Sequence, residues 1–141
     1  MVTTRQIPRP APWVAPAVVA AAAGGAASLL VAVDPGVPGH YPTCPFYAVT
    51  GLYCPGCGTL RLVHQLLTGH LGTAVGLNPM FIVAAPFLLY AYLRWTVGLV
   101  AGVSLPAIKA PPWAIRLVPF LVIAFGVARN IPVAPFTALA P

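Results

Sequence analysis

Carboxylates are almost missing from this chain. Among 141 residues there is one aspartate, Asp34, and no glutamate. Paired-carboxylate chemistry is therefore excluded, and general acid–base work would fall on three histidines. There is also no Gly-rich phosphate loop, no Gly-x-Ser-x-Gly and no His-Glu zinc-protease motif. Charge of either sign is scarce: only 6% of residues are charged, against about 25% in a typical soluble domain. Eight charges cannot clothe a water-soluble globule. The seven cations lie scattered at positions 5, 9, 61, 94, 109, 116 and 129. They form no basic stripe, so nucleic acid is excluded as a partner. No internal repeat supports a lone transporter.

What is abundant is apolar sequence, at 60% of residues. Disordered chains are poor in such residues. The 13 Gly and 18 Pro follow no three-residue period, which excludes collagen. An all-α integral membrane protein remains, folded as a single membrane domain over 1–141 and embedded in the lipid bilayer. A spanning helix needs about 20 apolar residues. The sequence predicts three spans: about 13–33, about 79–103 and about 113–130. The first is rich in Ala and Gly, and small residues let helix backbones approach. This predicts that one of its faces packs on another helix. A basic head before an apolar run also fits a signal peptide, although the run is long for one. Asn78-Pro79 supplies a cap and a first-turn proline for the second span. Arg94 interrupts that span between Tyr90, Tyr92 and Trp95, where it can snorkel to the interface or meet a partner's acid. With three spans, Arg5, Arg9, Arg94, Lys109 and Arg116 share one side and Arg61 and Arg129 the other. The positive-inside bias then predicts a cytoplasmic N-terminus and an extracytoplasmic 34–78 segment.

That segment holds all three cysteines, all three histidines and Arg61. Cys44 and Cys54 precede prolines and are expected to be extended or in turns. From Thr59, Leu60, Val63, Leu66 and Leu67 repeat at helical spacing, and Gly69 ends the pattern. The predicted helix is too short to span and is read as interfacial or re-entrant, with Thr59 as its cap. Arg61 and His64 are three residues apart and share a face.

Several chemistries suit Cys44, Cys54 and Cys57. Outside the cytoplasm, Cys44 with Cys54 or Cys57 would form one disulfide, stabilising by about 2–3 kcal/mol. Three thiolates with His64 as fourth ligand would hold zinc; His40 and His70 are weaker fourth ligands. Cys-x-x-Cys at a helix start also suits thiol redox chemistry, with Cys44 as a resolving thiol. The remaining alternative is three inert buried thiols. Arg61, Arg94, Arg129 and Asn130 are candidate contacts to a partner or to lipid. With one acid in the chain, at most one cation can pair internally. Capping of backbone carbonyls is the internal alternative for Arg61 and Arg129, and Asn130 adds two donors and an acceptor beside Arg129.

At Cys44-Pro45, Thr50-Gly51, Cys54-Pro55-Gly56-Cys57-Gly58, Arg61, Gly69 and Asn78-Pro79 the chain resembles the DUF2752 family of small bacterial membrane proteins. The Arg129-Asn130 pair also resembles that family. One position departs: the residue after the helix-ending glycine, often acidic in the family, is His70 here. The resemblance covers about a third of the chain and implies a bacterial inner-membrane location without an activity. It permits a role as accessory subunit of a larger membrane complex, respiratory or transport. The expectation is therefore a small non-catalytic accessory subunit, with a metal-binding or thiol-redox membrane protein as the alternative.

Overall fold

A computed structural model describes residues 11–140. Among them are six α-helices and no strand: α1 (Val14–Ala32), α2 (Pro45–Thr50), α3 (Thr59–Leu67), α4 (Leu71–Leu77), α5 (Pro79–Val100) and α6 (Pro112–Ala128). A 3₁₀ turn, Phe136–Leu139, follows. Arg5 and Arg9, on which part of the expected orientation rests, lie outside the described residues.

Two helices, α1 with 19 residues and α5 with 22, are long and apolar enough to cross a membrane. Their apolar windows are 11% and 0% buried, so neither is the core helix of a globule. The expected third span is a correction. Pro111 and Pro112 start α6 and Arg129 closes it, leaving 17 residues. At ~1.5 Å per residue that helix is about 26 Å long, short of a hydrocarbon core of about 30 Å.

Three contacts set the relative directions of the long helices. Tyr92 Oη, late in α5, donates to the Pro16 carbonyl at the start of α1 at 3.0 Å. At the other end, His64 Nδ1 lies 2.6 Å from the Leu30 carbonyl near the end of α1. Arg129, at the end of α6, reaches the Leu77 carbonyl just before α5 at 3.4 Å. The helices therefore run up, down and up. The end of α1, the start of α5 and the end of α6 share one pole.

The segment between α1 and α5 caps that pole. One short helix was expected there and three form. Pro45 at the first helical position starts α2, and Gly51 stops it with φ of 70°. The α3 helix follows the sequence expectation closely, and Gly69 leaves it with φ of 86°. Its cap differs: Gly58 occupies the N-cap with φ of 84°, and Thr59 is the first helical residue. The α4 helix then folds back on α3, and α3 packs on α1. Leu30, Leu62 and Ala74 are the buried hydrophobic residues of this cap.

Elsewhere the apolar surface faces outward, and neither α5 nor α6 contains a buried residue. The small residues of α1 do not bring a helix close: a Cβ at Gly24 or Gly25 would meet nothing within 4 Å. At the opposite pole, Arg94 Nε donates to the Leu105 carbonyl at 3.0 Å and Tyr90 Oη to that of Pro106 at 2.6 Å. These bonds turn the 101–111 connection back onto α5. Arg94 remains exposed while satisfying its own chain.

Candidate functional site

The Cys54-Pro55-Gly56-Cys57-Gly58 turn sits at the cap pole, between α2 and α3. Its shape follows from its residues. Pro55 fixes one backbone angle, and the Cys57 amide donates to the Cys54 carbonyl at 3.1 Å. Gly58 takes the left-handed conformation that lets α3 begin at once.

Polar residues from distant parts of the chain hold this turn from behind. Arg129, 1% exposed, donates through Nη1 to the carbonyls of Cys54 (3.0 Å), Pro55 (3.3 Å) and Cys57 (3.0 Å). Its guanidinium also lies over the Phe125 ring at 5.1 Å and the Tyr53 ring at 6.0 Å. Asn78, also 1% exposed, donates through Nδ2 to Pro55 O and Thr59 Oγ1, each at 3.0 Å. Its Oδ1 accepts from the Phe81 amide at 3.2 Å, the cap expected from the sequence. Asn130 brackets Tyr53: Oδ1 accepts from its amide at 2.8 Å, and Nδ2 donates to its carbonyl at 2.9 Å. Gly126 lets α6 come this near, because a Cβ there would stand 3.0 Å from Pro55 Cγ.

Arg129 and Asn130 are thus internal braces. Their expected contact with a partner or lipid is corrected: Arg129 is buried with its donors on carbonyls, and the half-buried Asn130 spends its amide on Tyr53 and Gly126. Asp34 is not the partner of Arg129; its Oδ1 lies 3.8 Å from His64 Nε2. A buried cation here is balanced by carbonyl dipoles and aromatic faces.

The braces turn the thiols outward into one cluster. Cys54 Sγ lies 3.0 Å from Cys57 Sγ, and Cys44 Sγ lies 3.5 Å from Cys54 Sγ. All three sulfurs fall within 4.8 Å of one another. Cys44 arrives as the N-cap of α2, a helix that stacks Tyr47 on Tyr53 with centroids 5.0 Å apart. The expected disulfide does not form: an S–S bond is about 2.0 Å, and all three cysteines are free. They are half-buried, so the inert-filler alternative, which needs burial, fits poorly.

The thiols differ electrostatically. Burial, then the neighbouring Cys54 side chain, pushes Cys57 up to about 12. The Tyr47 amide draws Cys44 below its ordinary value, against the opposing effect of burial. Three sulfurs converging on one point can hold a metal ion. A tetrahedral zinc with Zn–S bonds of ~2.3 Å spaces its sulfurs about 3.8 Å apart. Shifts of under an ångström bring the Cys54–Cys57 and Cys44–Cys54 pairs to that spacing.

His64 is not part of the cluster, a correction to its expected role as fourth ligand. Its ring is committed to Leu30 O and Asp34, locking α3 to the end of α1. His40 Nδ1 contacts the Asp34 carbonyl at 3.0 Å, and His70 Nδ1 contacts Thr68 Oγ1 at 3.1 Å. Arg61 instead joins the three cysteines in lining a cleft of about 530 Å³, walled also by Tyr41, Tyr47 and Tyr53. Asn78 was read from the sequence only as a cap. Its role at the turn was signalled by nothing beyond the Asn-Pro pair.

The fold and the site together define an all-helical protein with two membrane-length helices and a three-thiol cleft at one pole. Residues 44–92, which span the cysteine cluster, α3, α4 and the first part of α5, match the family of proteins of unknown function DUF2752. No curated protein matches the chain. No solved structure matches it.

Proposed function

We propose that this is a membrane-spanning protein whose capped pole binds a soft divalent metal, zinc in the first instance, through Cys44, Cys54 and Cys57. The observation that carries the reading is the convergence of three sulfurs within 4.8 Å of one another. The donor set fits: thiolates suit zinc, and three thiolates with a divalent ion leave one negative charge. The buried Arg129 lies directly behind the turn and complements that charge. Bound metal would supply Lewis acidity and a fixed loop geometry, and the role is binding rather than catalysis. The apolar α1 and α5 anchor the site in a bacterial inner membrane. Among the described residues Arg94, Lys109 and Arg116 then share the cytoplasmic pole, and the cleft is extracytoplasmic.

The test is metal content and titration of the reduced full chain in mild detergent. About one equivalent of zinc is expected, lost in Cys44→Ser, Cys54→Ser and Cys57→Ser alike. Failure of the reduced wild type to retain zinc overturns the reading.

A second reading, accessory subunit of a larger respiratory or transport complex, is favoured by the flanks of α5 and α6. No residue of either helix is buried within the chain, so both flanks are free to meet lipid or protein. Co-purification with other subunits at fixed stoichiometry is expected. Purification alone as a stable monomer refutes it.

A further inference from the structure

We propose that the open side of the metal site takes an anionic small-molecule thiol, its sulfur on the metal and its carboxylate on Arg61. This rests on the metal reading above and names the ligand that completes it. Zinc and its analogues prefer four donors in these sites. Three come from Cys44, Cys54 and Cys57. Among the described residues, those lining the cleft include no histidine and no carboxylate. His64 is held at 2.6 Å by the Leu30 carbonyl, and the chain's one carboxylate faces it. The fourth donor therefore enters through the cleft. Structural zinc sites close all four positions with protein ligands, whereas sites that exchange ligands keep one open.

Size and charge of the cleft decide what enters. About 530 Å³ is ample for a molecule of several heavy atoms, well beyond a water or halide. Among the described residues its sole charged lining residue is Arg61, whose planar fork matches a carboxylate. Tyr41, Tyr47 and Tyr53 give walls that accept an aliphatic linker between the two groups. A metal already carrying thiolates prefers sulfur as its next donor. Binding is a ligand exchange: the thiol gives its proton to solvent, its sulfur bonds the metal, and a bound water leaves. No electron is transferred.

The experiment uses the reduced full chain in detergent, loaded with Co(II) and followed by the sulfur-to-cobalt and d–d absorption bands. The probes are 3-mercaptopropionate, 2-mercaptoethanol, which lacks the carboxylate, and propionate, which lacks the thiol. Mercaptopropionate is expected to shift the bands and to bind about tenfold more tightly than mercaptoethanol, since a bond to a charged group contributes about that factor. Propionate is expected to compete weakly and leave the charge-transfer band unchanged. In Arg61→Gln the preference for mercaptopropionate should fall to near unity while cobalt affinity stays. Equal affinity for the two thiols in the wild type overturns the proposal without using any variant. So does an unchanged preference in Arg61→Gln, or loss of cobalt to the free thiol without a ternary spectrum. Failure of the reduced wild type to bind cobalt at all is distinct, and overturns the metal reading itself.

Discussion

Replacing Arg129 by Met removes the guanidinium while keeping a long apolar side chain against Phe125. Nη1 carries two hydrogens and serves three carbonyls, at 3.0, 3.3 and 3.0 Å. It therefore makes the equivalent of two full charge-assisted bonds. At about 1.5–3 kcal/mol each, these stabilise the fold by about 3–6 kcal/mol. The buried Nε has no partner, and an unsatisfied donor costs about 1–3 kcal/mol. The net loss expected in Arg129→Met is about 3 kcal/mol. Asn78 retains Pro55 O and weakly Cys57 O, but the Cys54 carbonyl loses its only side-chain donor. Damage should therefore concentrate at the cysteine turn. Denaturant titration in detergent measures the global term, and thiol-reaction rates of Cys54 and Cys57 measure the local one. Both should change, with the thiols reacting faster. Arg129→Lys should recover only part of the loss, because an ammonium cannot reproduce the planar fork. A stability change below about 0.5 kcal/mol, the range of an ordinary surface substitution, with unaltered thiol reactivity would refute the assignment of Arg129 as the brace.

Two further outcomes follow from the same geometry. Gly126→Val places a Cβ 3.0 Å from Pro55 Cγ, so α6 or the turn must move; a loss of about 1–3 kcal/mol is expected from overpacking, and unchanged stability would show that the contact is slack. The Cys57 thiol is raised from its ordinary 9.0 to about 12, so the folded metal-free chain holds this proton more tightly than the unfolded one. Its contribution to stability is full below about pH 9 and is lost as pH rises toward 12. Measured as wild type minus Cys57→Ala, stability should fall between pH 9 and 11, and a flat or rising difference would refute the burial of that thiol.

How much of this was legible in the sequence varies with the range of the interactions. Helices α1, α3 and α5 were readable because apolar length, 3.6-residue spacing, Asn78-Pro79 and Gly69 are local signals. The cluster of Cys44, Cys54 and Cys57 was readable as a set, because three cysteines in fourteen positions are already near neighbours in the chain. Their state was not. Disulfide, zinc and redox readings need sulfur positions, and those depend on how α2 presents Cys44 to the turn. Helices α2 and α4 were missed because six and seven residues are too few to show a period. The third span was overcounted because apolar content was weighed ahead of the Pro111-Pro112 start and the Arg129 stop.

The histidine and arginine assignments show the divide most clearly. Sequence alone determined that cations must outnumber acids and that most would lack an ionic partner. It could not assign their contacts, because those depend on groups 34 to 75 residues away. His64 shares a helix face with Arg61, yet the approach of α1 captured it with the Leu30 carbonyl. Composition left Arg129 open to lipid, yet the return of α6 to the start of α5 buried it among carbonyls. One acid in 141 residues therefore dictated a membrane-like, cation-rich chain. Only the tertiary fold decided which cation became a brace, which lines the thiol cleft, and that His64 stands apart from the three thiols gathered there.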